Sequence, residues 1–129
     1  GKFDLVHFNN GLHGWEYTED EYDAAFPDMI KAIRKNAPNA KLIWATTTPI
    51  RTGKYYERLE ERVARIVTRN EIAQKHISKA KDIKTNDLFN LILDHPEYFI
   101  GGDGVHPIDK GYQVLAEQVA KKILESLSE

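Results

Sequence analysis

Apolar and polar positions along this chain alternate between short apolar runs and stripes of helical period. Residues 3–8 are rich in Phe, Val and Leu and alternate only loosely. That pattern predicts a strand covered on both faces, as in a parallel sheet. Residues 9–15 carry two glycines and several turn formers, which predicts a loop at the strand's C-terminal end. Thr18 and Glu21 have capping-box spacing and predict a helix start. Tyr22, Phe26, Met29, Ile30 and Ile33 then share one helical stripe, ending near Asn36 before Pro38. Pro27 falls inside that stripe and predicts either a kink or the first turn of a second, shorter helix.

The same alternation continues. Residues 41–47 predict a second strand and residues 48–53 a loop after it. Residues 55–79 form the longest helical pattern, with Leu59, Val63, Ile66, Val67, Ala73 and Ile77 on one face. Asn70 lies on that stripe, where a polar group satisfied at the helix–sheet junction is expected. Residues 82–86 predict a short third strand and 88–93 a short helix. A loop spans 97–107. The final helix starts at about Ile108, with Tyr112, Leu115, Val119, Ile123 and Leu127 as its apolar face.

Strand–helix–strand–helix–strand–helix is the order of βαβ units. The expected fold is therefore α/β: a three-layer αβα domain over residues 1–129, with a parallel sheet and helices on both faces. Ligands in such sheets bind beyond the C-terminal strand ends. The loops at 9–15, 48–54 and 97–107 should converge on that rim. The chain opens almost directly on a central-type strand, which suggests the C-terminal part of a longer protein.

Composition narrows the function. The chain has 129 residues, 41% of them apolar, which is ordinary for a globular domain. Eighteen basic against twenty acidic residues give a net charge of −2, so no field favours nucleic acid or an anionic membrane. No apolar run approaches the length of a membrane span. The absence of cysteine excludes disulfides and thiolate catalysis. Histidines 7, 13, 76, 95 and 106 lack zinc-ligand spacing, so no metal or other cofactor is expected.

The chemistry-bearing stretch is Gly102-Asp103-Gly104-Val105-His106-Pro107. A carboxylate three residues before an imidazole can bond one ring nitrogen and leave the other free to take a proton. The second stretch is Asn9-Asn10-Gly11-Leu12-His13-Gly14-Trp15. Asn10 and His13 read either as donors toward a substrate oxygen or as simple turn and rim residues. Trp15, Tyr98 and Phe99 suit packing or a pocket wall. Arg51 suits a salt bridge, or a substrate carboxylate.

Together these two stretches resemble the SGNH (GDSL-type) hydrolases, a family of esterases and lipases. Asp103 and His106 match the family's D-x-x-H block before the C-terminal helix. Residues 9–15 sit where its third block lies, although Gly11-Leu12-His13-Gly14 puts His13 where the family has its oxyanion asparagine. The resemblance implies a flavodoxin-like fold, truncated at its N-terminus, and a Ser–His–Asp mechanism. It assigns catalysis to His106 and Asp103, and oxyanion or substrate contacts to Asn10, Gly11 and His13. It implies a small-molecule or carbohydrate ester as substrate. The family's serine-bearing G-D-S block is absent: the only serines are Ser78, Ser126 and Ser128, none in a glycine-flanked turn. A non-catalytic domain of the same shape, binding a carbohydrate or protein partner, is the alternative. A missing first strand would also bare a sheet edge and favour self-association.

Overall fold

The computed structural model describes residues 2–51 and 58–129. Three parallel strands, β1 (Leu5–Phe8), β2 (Lys41–Ala45) and β3 (Ile83–Asn86), form one sheet in the order β1-β2-β3. The register pairs Phe8 with Trp44 and Ala45 with Asn86. All three strands thus end on one rim. Helix α1 (Glu19–Asn36) connects β1 to β2, and α2 (Leu59–Lys79) precedes β3. A short α3 (Leu88–Ile92), a 3₁₀ turn (Pro96–Phe99) and α4 (Lys110–Leu127) complete the described chain.

Alternation along the strands gives the sheet two unlike faces. Val6, Phe8, Leu42, Trp44 and Ile83 point to one side, where Phe26 of α1 and Ala73 and Ile77 of α2 complete an apolar core. The opposite parity brings His7, Lys41 and Asn86 to the α4 side. There Gln118 Nε2 donates to Asn86 Oδ1 at 3.3 Å. Asn86 in turn lies 3.1 Å from Nε2 of His7. Burial lowers the His7 pKa below the ordinary imidazole value. Lys41 donates to the carbonyls of Ser126 and Glu129 at 2.5 and 3.2 Å.

Helix α1 begins at the expected capping box: Thr18 Oγ1 accepts from the Glu21 N–H, and the Glu21 carboxylate accepts from the Thr18 N–H. It then runs through Pro27 as a single helix, so no second helix begins there. The surrounding apolar stripe holds it on the sheet. The helix pattern expected from residue 55 is helical from Leu59; residues 52–57 lie outside the described residues. Strand β2 stops at Ala45, two residues early, because Thr47 pairs its backbone with the side chain of Asn70 instead.

The apolar face expected for α4 is rotated. Tyr112 and Leu127 are exposed, whereas Gly111 and Ser126 are buried. Val114, Leu115, Val119 and Ile123 are half-buried on the sheet face that carries Ile43 and Ala45, and Gln118 turns inward among them to reach Asn86. Gly111 sits directly against Tyr98, which fixes the other end.

Candidate active site

The turn at residues 102–107 is built locally. Asp103 Oδ1 accepts the backbone N–H of Val105 and of His106, both at 2.8 Å. Its Oδ2 lies 2.6 Å from Nδ1 of His106. Gly104 supplies the positive φ of 80° that bends the chain between them. These contacts, the His106 N–H first among them, bring the Asp103 pKa down to about 2. The carboxylate is therefore ionised at neutral pH and favours a proton on Nδ1. The His106 ring is 78% exposed, and its Nε2 bonds no described residue. An imidazole in this setting is free to take a proton at Nε2.

Two anchors fix the turn on the rim. Arg51 donates its backbone N–H to the Gly104 carbonyl at 2.6 Å. Val105 is buried with Ile50 and Ile66, and Leu12 and Trp15 pack on the same cluster. The residue before His106 thus shares a core with the residue after Gly11. The loop after β1 and the turn before α4 meet on one side of the sheet.

The 9–17 loop is held from both ends. Asn9 Nδ2 donates to the Ala45 carbonyl at 2.7 Å and to Thr47 Oγ1 at 2.9 Å, so Asn9 is spent on structure. A Cβ on Gly11 would lie 2.2 Å from Thr47 Oγ1, so any larger residue forces the threonine side chain to move. Asn10 accepts from the Tyr22 hydroxyl at 3.4 Å through Oδ1, and its Nδ2 bonds no described residue. Burial pushes the Tyr22 pKa up to about 12, so the phenol keeps its proton. Residues 9–14, with Tyr17, Tyr22 and Arg69, line a cavity of about 610 Å³. His13 is exposed at its mouth. Asp103 and His106 lie outside its lining.

The far end of the loop is gripped by two arginines that the sequence pattern did not single out. Arg69 donates to the carbonyls of His13, Gly14 and Tyr17 at 3.0, 2.9 and 3.0 Å. Arg65 donates to those of Trp15 and Tyr17 at 2.9 and 2.6 Å. Both bond Glu19 Oε1, and the Trp15 ring lies beneath both guanidinium groups. Burial raises the Glu19 pKa, but the bonds from Arg65 and Arg69 outweigh it and hold the group below the usual range. The signal available in sequence was Arg69 interrupting an apolar stripe between Ile66 and Ala73.

The remaining candidates resolve into packing. Trp15 joins the core beside Val105, Tyr98 stacks on His95 with ring centroids 4.6 Å apart, and Phe99 is buried. Arg51 makes no ion pair among the described residues. Its guanidinium donates to the Leu93 carbonyl and lies over the Phe99 ring, while its Nε is buried without a partner. The serines lie far from the rim. Ser126 sits beside Lys41, the first residue of β2, and Ser78 is in the last turn of α2, just before β3 begins. Ser128 is two residues beyond Ser126. Among the described residues no cluster of His, Asp or Glu has the makings of a metal site. No helix among them is long and apolar enough to cross a membrane.

Solved structures carry the same fold. The chain aligns with a GDSL-like lipase from Bacteroides thetaiotaomicron at 20% identity and a TM-score of 0.73, over 95% of this chain and 62% of that one. A carbohydrate esterase family 3 protein from Talaromyces cellulolyticus aligns at 21% identity and 0.73, over 97% and 59%. The esterase domain of a zebrafish retrotransposon protein aligns at 22% and 0.71, over 84% and 61%. The chain thus spans about six-tenths of the length of these proteins. Curated protein sequences give no match. The family model for GDSL-like lipase/acylhydrolase matches residues 4–119, from the start of β1 well into α4. With that match running through both the 9–17 loop and the Asp103–His106 turn, the chain belongs to the GDSL-like lipase/acylhydrolase family.

Proposed function

We propose that this chain carries the base and its orienting carboxylate for acyl-ester hydrolysis, and that a serine from a G-D-S block outside these 129 residues supplies the nucleophile. The observation that carries the reading is the 2.6 Å contact between Asp103 Oδ2 and His106 Nδ1, on the rim where the 9–17 loop ends. His106 Nε2 takes the proton of the attacking hydroxyl as its oxygen bonds the acyl carbon. The unpaired Nδ2 of Asn10 donates to the oxyanion that forms, with the Gly11 backbone and His13 at the edge of the same pocket. The tetrahedral intermediate collapses, and the leaving alcohol takes the proton from His106. Water then repeats the sequence to release the acid. A carbohydrate ester fits this reading, since one of the similar structures is a carbohydrate esterase.

The test is hydrolysis of p-nitrophenyl acetate. The 129-residue chain should be inert. A form extended through a serine-bearing block should turn the ester over, and His106→Ala should reduce kcat by about a thousandfold or more. Turnover that survives His106→Ala, or robust turnover by the chain alone, defeats the proposal. A second reading is a non-catalytic domain that binds a carbohydrate or protein through the same rim, with the cavity lined by residues 9–14 as its binding surface. It predicts binding that persists in His106→Ala and no serine block upstream. Among the described residues β1 pairs with β2 alone, and we propose strand addition by a second copy at its other edge. Light scattering at rising concentration tests that association, and a strict monomer excludes it.

A further inference from the structure

Arg65 and Arg69 are chemically alike, stand one turn apart on α2 and share Glu19. They grip different parts of the loop. Arg65 reaches only the carbonyls of Trp15 and Tyr17. Arg69 also reaches those of His13 and Gly14, which are separated from Asn10 and Gly11 by Leu12 alone. The Arg69 side chain is 2% exposed, against 22% for Arg65, and Arg69 alone of the two lines the cavity. A buried guanidinium presents its donors in a rigid planar fork, so it dictates where the oxygens around it sit. A carbonyl held in this way also fixes the orientation of its whole peptide plane.

We infer that Arg69 is a positioning residue: it sets the backbone of residues 10–14 that walls the cavity, a task Arg65 does not share. The catalytic consequence rests on the ester-hydrolase reading above. The physical consequence rests on the loop contacts alone. Lysine keeps the charge but replaces the fork with a single ammonium that cannot satisfy three carbonyls and Glu19 together.

The experiment compares Arg69→Lys with Arg65→Lys. In the 129-residue chain, amide exchange at Tyr17, whose N–H donates to the Gly14 carbonyl that Arg69 holds, should quicken at least tenfold in Arg69→Lys and less than threefold in Arg65→Lys. In a form that turns over p-nitrophenyl acetate, Arg69→Lys should lower kcat about 10- to 100-fold with KM within twofold, the cost of a small misplacement of the site. Arg65→Lys should change kcat less than threefold. If Arg69→Lys does not fold, Arg69→Gln, which keeps one donor group, is read in the same way. Equal effects of the two arginines on exchange overturn the inference, as does His106-dependent turnover that both variants leave alike. Turnover that does not depend on His106 removes the hydrolase reading instead, and the exchange contrast then decides the role of Arg69.

Discussion

Gly11→Ala is the sharpest single perturbation of the loop. The new methyl would lie 2.2 Å from Thr47 Oγ1 and 3.3 Å from Thr47 Cβ. Thr47 cannot step aside as a residue, because Asn70 binds its N–H at 2.9 Å and its carbonyl at 3.0 Å. Relief must come from turning the threonine side chain, which breaks the 2.9 Å bond from Asn9. Overpacking of this kind costs about 1–3 kcal/mol. The lost hydrogen bond adds about 0.5–1.5 kcal/mol. The sum is about 1.5–4.5 kcal/mol, or a fall in Tm on the order of 5–20 °C for a domain of this size. Denaturant unfolding of Gly11→Ala, Thr47→Ala and the double variant measures it. Removing the hydroxyl should relieve most of the clash, so the double variant should fall within about 1 kcal/mol of Thr47→Ala alone. Additive losses, or a Gly11→Ala protein as stable as the parent, would refute the close-approach argument.

Three other outcomes follow from the geometry. Asp103 should titrate at about 2 by carbon-detected NMR. Its contribution to stability is then present above the ordinary carboxylate pKa and is lost as pH falls through about 2. His106→Ala should restore only part of the shift, since the N–H groups of residues 105 and 106 still point at the carboxylate. His7 has a lowered pKa, so the unfolded chain takes up its proton first as pH falls below 6.5. Stability should therefore decline through that window, and His7→Gln should flatten the decline in pH-dependent melting. Asn70→Leu should strand the buried N–H and carbonyl of Thr47 and cost about 2 kcal/mol or more, seen as a lower urea midpoint with an unchanged m-value.

Much of this architecture was legible because it rests on local pattern. The capping box at Thr18 and Glu21, the Tyr22–Ile33 stripe and the Asp103–His106 turn all depend on residues three or four apart, and a sequence displays such spacing directly. The role of Asn70 was legible for a related reason: an amide on an apolar stripe has to find buried partners. The orientation of α4 was not. Helical period located an apolar face, but the sheet surface beneath it carries His7, Lys41 and Asn86 beside Ile43 and Ala45, and residues so far apart in sequence line up only through strand register. The same limit hid the partners of Arg69, which lie more than fifty residues before it. It also hid those of Arg51, whose guanidinium found backbone carbonyls where a carboxylate was expected.

The two halves of the rim differ in the order in which they can assemble. The bonds that shape the Asp103–His106 turn close over separations of two and three residues. Those that shape the opposing loop close over 52 to 56 residues. Closing a short loop is orders of magnitude faster than establishing non-local contacts. During folding the turn can therefore flicker into its native shape early and independently. The cavity wall must wait until α2 has docked and delivered Arg69, the same docking that brings Ile66 to Val105 and seats the finished turn on the rim.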